Sequence, residues 1–215
     1  MDEHELQRRA AAIGLVALDV DGTLTDGRIL IGPAGEAMKA FSVHDGFGLT
    51  LLREAGVKLA IVTARQSAIV ELRAAELRLD AVQQGVRDKG AALMALCERF
   101  GLPPARAAFV GDDWGDLRAM AVAGLAASVA DAAPEVRARA HWVSQHPGGR
   151  GAVREFAEFL LRARGGFNAA LARYLGAASP LDAAQPLSVG QSPSVEQSPS
   201  VGQSPNPAQS QGAAP

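Results

Sequence analysis

Four short apolar runs rich in Val and Ala, at residues 14–18, 58–62, 107–110 and 125–129, alternate with longer stretches that repeat at helical spacing. Each run is too short for a helix and is bounded by Gly, Asp or Thr, which predicts buried strands. The stretches between and after them predict helices over 47–55, 67–77, 89–100, 115–123 and 151–164. Strands alternating with helices at this spacing leave little choice of architecture. The expected fold class is α/β, a Rossmann-like parallel sheet with helices on both faces. Hydrophobic residues make up 48% of the chain and aromatic residues only 5%, so the core must be built largely from Ala, Leu and Val.

The composition changes near Ala177. From there to Pro215 only Asp182 and Glu196 are charged, and the hexads at 188–193, 194–199 and 200–205 repeat Ser-Val-Gly/Glu-Gln-Ser-Pro. Such a stretch buries too little apolar surface to offset the entropy of ordering it. The expected organisation is one domain over 1–176 and a disordered, passive tail over 177–215.

In a parallel sheet, ligands bind beyond the carboxyl ends of the strands, so the polar residues that follow the apolar runs carry the interest. Asp19-Val20-Asp21-Gly22-Thr23-Leu24-Thr25 closes the first run. Residues two apart on a strand share a face, which starts Asp19 and Asp21 close together, and two such carboxylates repel unless a proton or cation intervenes. A second acidic site, Gly111-Asp112-Asp113-Trp114-Gly115-Asp116, ends another run on the same sheet edge. Asp112 can therefore complete an oxygen-only site with Asp19 and Asp21, the donor set that suits Mg²⁺. Thr63 ends a third run with a hydroxyl, and Lys89 opens a helix with an ammonium. Together they supply the positioning and charge stabilisation that phosphoryl transfer needs, with a carboxylate as nucleophile and a neighbouring acid moving protons.

The ordered set of acid pair, hydroxyl, lysine and acid cluster resembles the four motifs of the haloacid-dehalogenase-like phosphohydrolases, over roughly residues 12–164. The resemblance implies that Asp19 attacks phosphorus and that Asp21 acts as general acid and then base. It implies that Thr63 and Lys89 hold phosphoryl oxygens, and that Asp19, the Asp21 main-chain carbonyl and Asp112 bind Mg²⁺. Asp113 and Asp116 are expected to support these ligands, with Asp116 orienting Lys89. The interval from Asp21 to Thr63 holds a helix and a hairpin around Gly32-Pro33-Ala34-Gly35; that from Thr63 to Lys89 holds one helix and one strand. A small β-hairpin flap and no cap domain are expected. Capless members of that superfamily close their sites with a neighbouring subunit.

A finer resemblance is to the phosphatases of 3-deoxy-D-manno-octulosonate 8-phosphate, a lipopolysaccharide precursor. It is carried by Asp45-Gly46-Phe47-Gly48, Thr63-Ala64-Arg65, Arg73 and the segment Gly148 to Glu155. It implies a homotetramer, and substrate contacts from Ser42, Val43, His44, Asp45, Gly46, Asp21, Thr63, Arg65, Arg73 and Lys89. Arginine forks suit a sugar carboxylate. The chain departs from that pattern with Ala64 in place of Gly, and with His44 and Thr50 where the family carries basic residues. A nonulosonate phosphate is the alternative substrate; a receiver-like phosphoacceptor and an inactive assembly protein are the non-enzymatic alternatives. Trp114 is expected to pack beside the acid cluster.

A net charge of -2 and a pI near 6.1 point away from nucleic acid. A single cysteine, Cys97, excludes an intrachain disulfide and, with no apolar run long enough to span a bilayer, leads to a cytoplasmic expectation with no membrane partner. Since no motif lies beyond Gly176, removing 177–215 is expected to leave turnover of a phosphate ester within about twofold of the full chain. A large loss in that assay would show the tail to be active.

Overall fold

A computed structural model of the chain describes residues 1–176, so the tail read at 177–215 lies outside the described residues. In chain order the elements are α1 (Glu3–Ala12), β1 (Leu15–Leu18), β2 (Leu30–Gly32), β3 (Gly35–Met38), α2 (Val43–Glu54), β4 (Lys58–Val62), α3 (Ala68–Leu77) and β5 (Ala81–Gln83). There follow α4 (Lys89–Phe100), β6 (Ala107–Gly111), α5 (Leu117–Val122), β7 (Leu125–Ser128), α6 (Pro134–Arg137), β8 (Trp142–Val143), α7 (Ala152–Ala163) and α8 (Phe167–Leu175). Six strands pair in parallel in the order β5-β4-β1-β6-β7-β8, and β2 with β3 forms a separate antiparallel hairpin. The α/β expectation holds, and no cap domain interrupts the described residues.

The period of two along each strand divides the core into two layers. Val16 and Leu18 of β1, Leu59 and Ile61 of β4, and Ala108 and Val110 of β6 face α2, α3 and α7. Leu15, Ala17, Ala60, Val62, Ala107 and Phe109 face α4 and α5. Cys97 lies in that second layer as a buried free thiol. Among the described residues Phe109 and Phe156 are the fully buried aromatics, and the rest of the core is largely aliphatic.

β1 sits between β4 and β6: the chain runs from β1 to β4 and β5 on one side, then crosses back through α4 to β6 on the other. A crevice therefore opens at its carboxyl end. Leu18 pairs with Val110, and Asp19 N–H donates to the Val110 carbonyl at 3.0 Å. The residues that follow β1 and β6 are thereby set side by side.

Several elements differ from expectation. α1, β8 and α8 had no reading in the sequence. α2 begins at Val43 rather than Phe47 because Ser42 caps it, accepting from Asp45 N–H at 3.2 Å. The expected helix over 115–123 opens instead as a 3₁₀ turn over Trp114–Asp116 and becomes α-helical only from Leu117. Trp114 is 64% exposed, its indole N–H reaching Glu135 at 3.2 Å, so it does not pack into the cluster.

α7 has no side-chain cap of its own, since Gly151 stands at its N-cap. The acceptors come from α2 instead: the buried Asp45 carboxylate takes Arg154 N–H at 2.8 Å and Gly151 N–H at 3.2 Å. Asp45→Ala would leave both donors without acceptors and is expected to lower stability by about 2 kcal/mol, with Asp45→Asn costing about half as much. Urea unfolding midpoints measure both, and an unchanged midpoint for the alanine variant would show that this cap contributes nothing.

Candidate active site

Asp19 follows β1 directly and is 8% exposed. Its Oδ1 lies 2.7 Å from Lys89 Nζ, and the same ammonium lies 2.6 Å from Asp116 Oδ1. Lys89 is the first residue of α4, where the helix dipole disfavours a cation. Two carboxylates compensate it there, and their charge outweighs burial and holds the ammonium above its ordinary range. Asp116 has no oxygen to spare: Oδ1 meets Lys89, and Oδ2 accepts from Asp112 N–H at 2.9 Å and Asp113 N–H at 3.2 Å. It therefore fixes both the lysine and the turn that carries Asp112.

Asp112 follows β6 and accepts from Thr23 Oγ1 at 2.9 Å. Gly22 has φ +97°, and a β-carbon there would overlap the Asp112 carboxylate. Only glycine allows that approach and that backbone conformation together. Gly148 presses on the other side of the same loop, where any side chain would strike the Gly22 carbonyl, and Gly149 N–H donates to the Thr23 carbonyl at 3.0 Å. The glycine-rich stretch before α7 thus packs directly against the loop after Asp21.

Carboxylate oxygens of Asp19, Asp112 and Asp116 all lie within 4.8 Å of one another. Burial pushes Asp19 up to about 6, with the Asp116 charge adding to it and Lys89 opposing. Burial pushes Asp112 up to about 7, Asp19's charge adding and Thr23's hydroxyl opposing. Buried hard-oxygen donors whose charged forms are disfavoured are the partners a small divalent cation needs, and the residues fit one. With Asp116 committed to Lys89 and to main-chain donors, Asp19 and Asp112 remain to ligate.

A cavity of about 210 Å³ opens over this cluster, lined also by Asp21, Thr63 and Arg65. Thr63 ends β4, its N–H donating to the Gln83 carbonyl at 2.9 Å. The Asp21 side chain meets Lys39, which bonds Oδ1, and Arg65, whose Nε lies 3.7 Å from Oδ2. The remaining candidates gather elsewhere. Ser42 and His44 line a separate open groove of about 530 Å³ with His146, Arg150 and Arg154. Val43 is exposed, and Gly46 is buried against the Arg73 guanidinium. Arg73 itself reaches the Ser42 carbonyl at 3.3 Å and Glu76 at 2.8 Å, and lies over the Phe41 ring. The Asp45 carboxylate, placed among the substrate contacts by resemblance, is spent on α7. Lys39 and Glu36 had no reading in the sequence: an acid and a lysine three apart on a hairpin look like a surface pair.

The class that this fold and acid cluster define is the haloacid dehalogenase-like hydrolases, and a family model of that description matches residues 42–124. The chain is 42% identical over 162 residues to the 3-deoxy-D-manno-octulosonate 8-phosphate phosphatase KdsC of Escherichia coli K12, covering 75% of this chain and 86% of that protein. It belongs to that phosphatase family. Among solved structures, the Moraxella catarrhalis 3-deoxy-D-manno-octulosonate 8-phosphate phosphatase, crystallised with magnesium, phosphate and KDO, aligns at TM-score 0.78 and 40% identity over 80% of this chain and 99% of that one. The cobalt-bound Haemophilus influenzae enzyme aligns at TM-score 0.73 and 36% identity over 74% and 94%.

Because Asp19 and Asp112 are raised, the folded chain holds protons that the unfolded chain releases near pH 4. Their contribution to stability is full below that pH and is lost as pH rises through about 6 to 7. Chelator-treated protein is expected to melt on the order of 5 °C lower at pH 8 than at pH 5, with added Mg²⁺ restoring the loss most at pH 8. Thermal unfolding followed by circular dichroism at both pH values checks this; a Mg²⁺ effect that is larger at pH 5 would contradict it.

Proposed function

We propose that the chain releases inorganic phosphate from 3-deoxy-D-manno-octulosonate 8-phosphate through a phosphoaspartate on Asp19. The observation that carries the reading is the Asp19–Lys89–Asp116 ion-paired cluster beside Asp112, at one strand edge, in a chain about 40% identical to named phosphatases of this ester.

An Asp19 carboxylate oxygen attacks phosphorus as the bond to the sugar oxygen breaks, and Asp21 gives that oxygen its proton. Water then attacks the phosphoaspartate, its proton passes to Asp21, and Asp19 leaves as carboxylate. Lys89 and the Thr63 hydroxyl neutralise the phosphoryl oxygens, and Asp116 keeps the Lys89 ammonium pointed at them. Asp19, the Asp21 main-chain carbonyl and Asp112 would hold Mg²⁺, which supplies charge neutralisation at the phosphoryl group when bound. Arg65 at the cavity mouth is a fork suited to the sugar acid's carboxylate.

Ser42, His44 and the neighbouring arginines line a groove separate from this cavity, while the hairpin leaves Leu30, Ile31 and Met38 exposed. Both features support an assembly, for which we infer a homotetramer, in which one chain's groove residues serve another's substrate. No helix among the described residues is long and apolar enough to cross a membrane. A lone buried thiol and a phosphate-ester substrate suit the cytoplasm. The receiver-like and assembly-only readings lose support, because the hydrolytic set is intact and the relatives are named as phosphatases.

A nonulosonate phosphate stays in the comparison, since Thr50 spends its hydroxyl on the Gly46 carbonyl at 3.2 Å and brings no cation. Assayed with Mg²⁺ against a panel of sugar phosphates, the chain is expected to prefer the octulosonate ester over neutral hexose phosphates by about tenfold or more in kcat/KM. Asp19→Asn is expected to lose about 10³-fold or more in kcat. Equal rates on hexose phosphates would sink the substrate assignment, and an active Asn variant would sink the mechanism.

A further inference from the structure

Lys39 follows β3 at the foot of a hairpin that is otherwise open to solvent, yet its side chain has no exposed surface. Its ammonium bonds Asp21 Oδ1 and lies 2.9 Å from Glu36 Oε1. Glu36 Oε1 is buried, and its charge rests on that Lys39 contact, with Arg65 Nη2 farther off at 3.9 Å. The other Glu36 oxygen accepts from the hydroxyl of Ser67, the residue that caps α3. A chain of contacts thus runs from Asp21 through Lys39 and Glu36 to Ser67, tying the hairpin across the mouth of the site.

Stability alone is a poor reason for such an arrangement, because a buried ion pair often gains nothing over well-packed apolar residues. Its geometric consequence is specific. Lys39 occupies Oδ1 of Asp21 and leaves Oδ2, which Arg65 Nε approaches only to 3.7 Å, as the oxygen able to exchange a proton with substrate or water. Resting on the role given to Asp21 under Proposed function, we propose that Lys39, anchored by Glu36, is a positioning residue that fixes the rotamer of the Asp21 carboxylate and so ties the seating of the hairpin to both proton transfers.

Lys39→Met removes the ammonium while filling much of its space. In the full chain with Mg²⁺ it is expected to lower kcat on the octulosonate ester by about 30- to 100-fold, with KM changed by less than about threefold. In an Asp21→Asn background the same substitution is expected to change the residual rate by less than about threefold, because the two residues act as a unit. p-Nitrophenyl phosphate, whose leaving group needs no protonation, adds a separate signature. Lys39→Met should release one equivalent of nitrophenolate in a burst and then turn over slowly, since only breakdown of the phosphoaspartate still needs Asp21; the parent should show no burst. Parent-like kcat in Lys39→Met beside an inert Asp21→Asn overturns the Lys39 assignment alone, as do equal losses in both backgrounds. A fully active Asp21→Asn removes the assigned role of Asp21 and this inference with it. Should Lys39→Met fail to fold, Glu36→Gln serves instead, with an expected fall of about 3- to 10-fold and the same burst; a parent-like Glu36→Gln then overturns the inference.

Discussion

The structure turns on one electrostatic problem, that three carboxylates from the ends of two adjacent strands are held within 4.8 Å of one another in a largely buried space. Like charges at such separations repel by several kcal/mol at a protein-like dielectric of about 20. Lys89 is the local answer, and everything around it serves that placement. β5 and the turn after it deliver α4 with the lysine as its first residue, Asp88 caps that helix by accepting from Ala91 N–H at 3.0 Å, and Asp116 holds the ammonium from behind. Burial first, and the neighbouring carboxylates second, still hold the Asp19 and Asp112 carboxyls above their ordinary range. A divalent cation between Asp19 and Asp112 would supply the positive charge that Lys89 alone does not.

A second frame holds the loop after Asp21 in place from outside the sheet. Asp45 on α2 caps α7, α7 follows the glycine-rich stretch, and that stretch lies on the carbonyls of Gly22 and Thr23. The loop is thus clamped between Asp112 on one side and Gly148 on the other. Neither contact tolerates a β-carbon, which explains why glycine stands at both positions although they lie far apart in the chain. The packing of α2 against α7 therefore reaches the catalytic loop without any residue of either helix entering the cavity.

How much of this could be read beforehand follows from the range of the interactions. Asp19, Thr63, Lys89 and Asp112 were legible because each stands directly after an apolar run or opens a periodic helix, and parallel pairing alone brings such positions to one edge. The bounds of β4 and α4 were legible for the same reason, with sharp polar residues at their ends. α1 was missed because its apolar positions are few and its face is set by docking on α7 rather than by its own pattern. β8 is only two residues long and exists because β7 offers it an edge. The capping of α7 by Asp45 was not legible, since nothing local reveals that a helix more than a hundred residues later lacks a cap. Lys39 and Glu36 were invisible on the same ground: burial, which changes their meaning, is a tertiary property.

The hairpin joins two of these strands of argument. Its outer surface leaves Ile31 78% exposed, with Leu30 and Met38 also open, an apolar face bare to solvent. Its base puts Lys39 on Asp21 and Glu36 on the cap of α3. A pair of strands this short has little stability of its own, so its position is decided by what touches it at either end. Anything seated on the outer face of β2 and β3 would bear, through a few contacts, on the Asp21 carboxylate. Under the assembly and the Lys39 role proposed above, this offers a physical route by which the two would be coupled, because the exposed apolar face and the ion pair on Asp21 belong to the same hairpin.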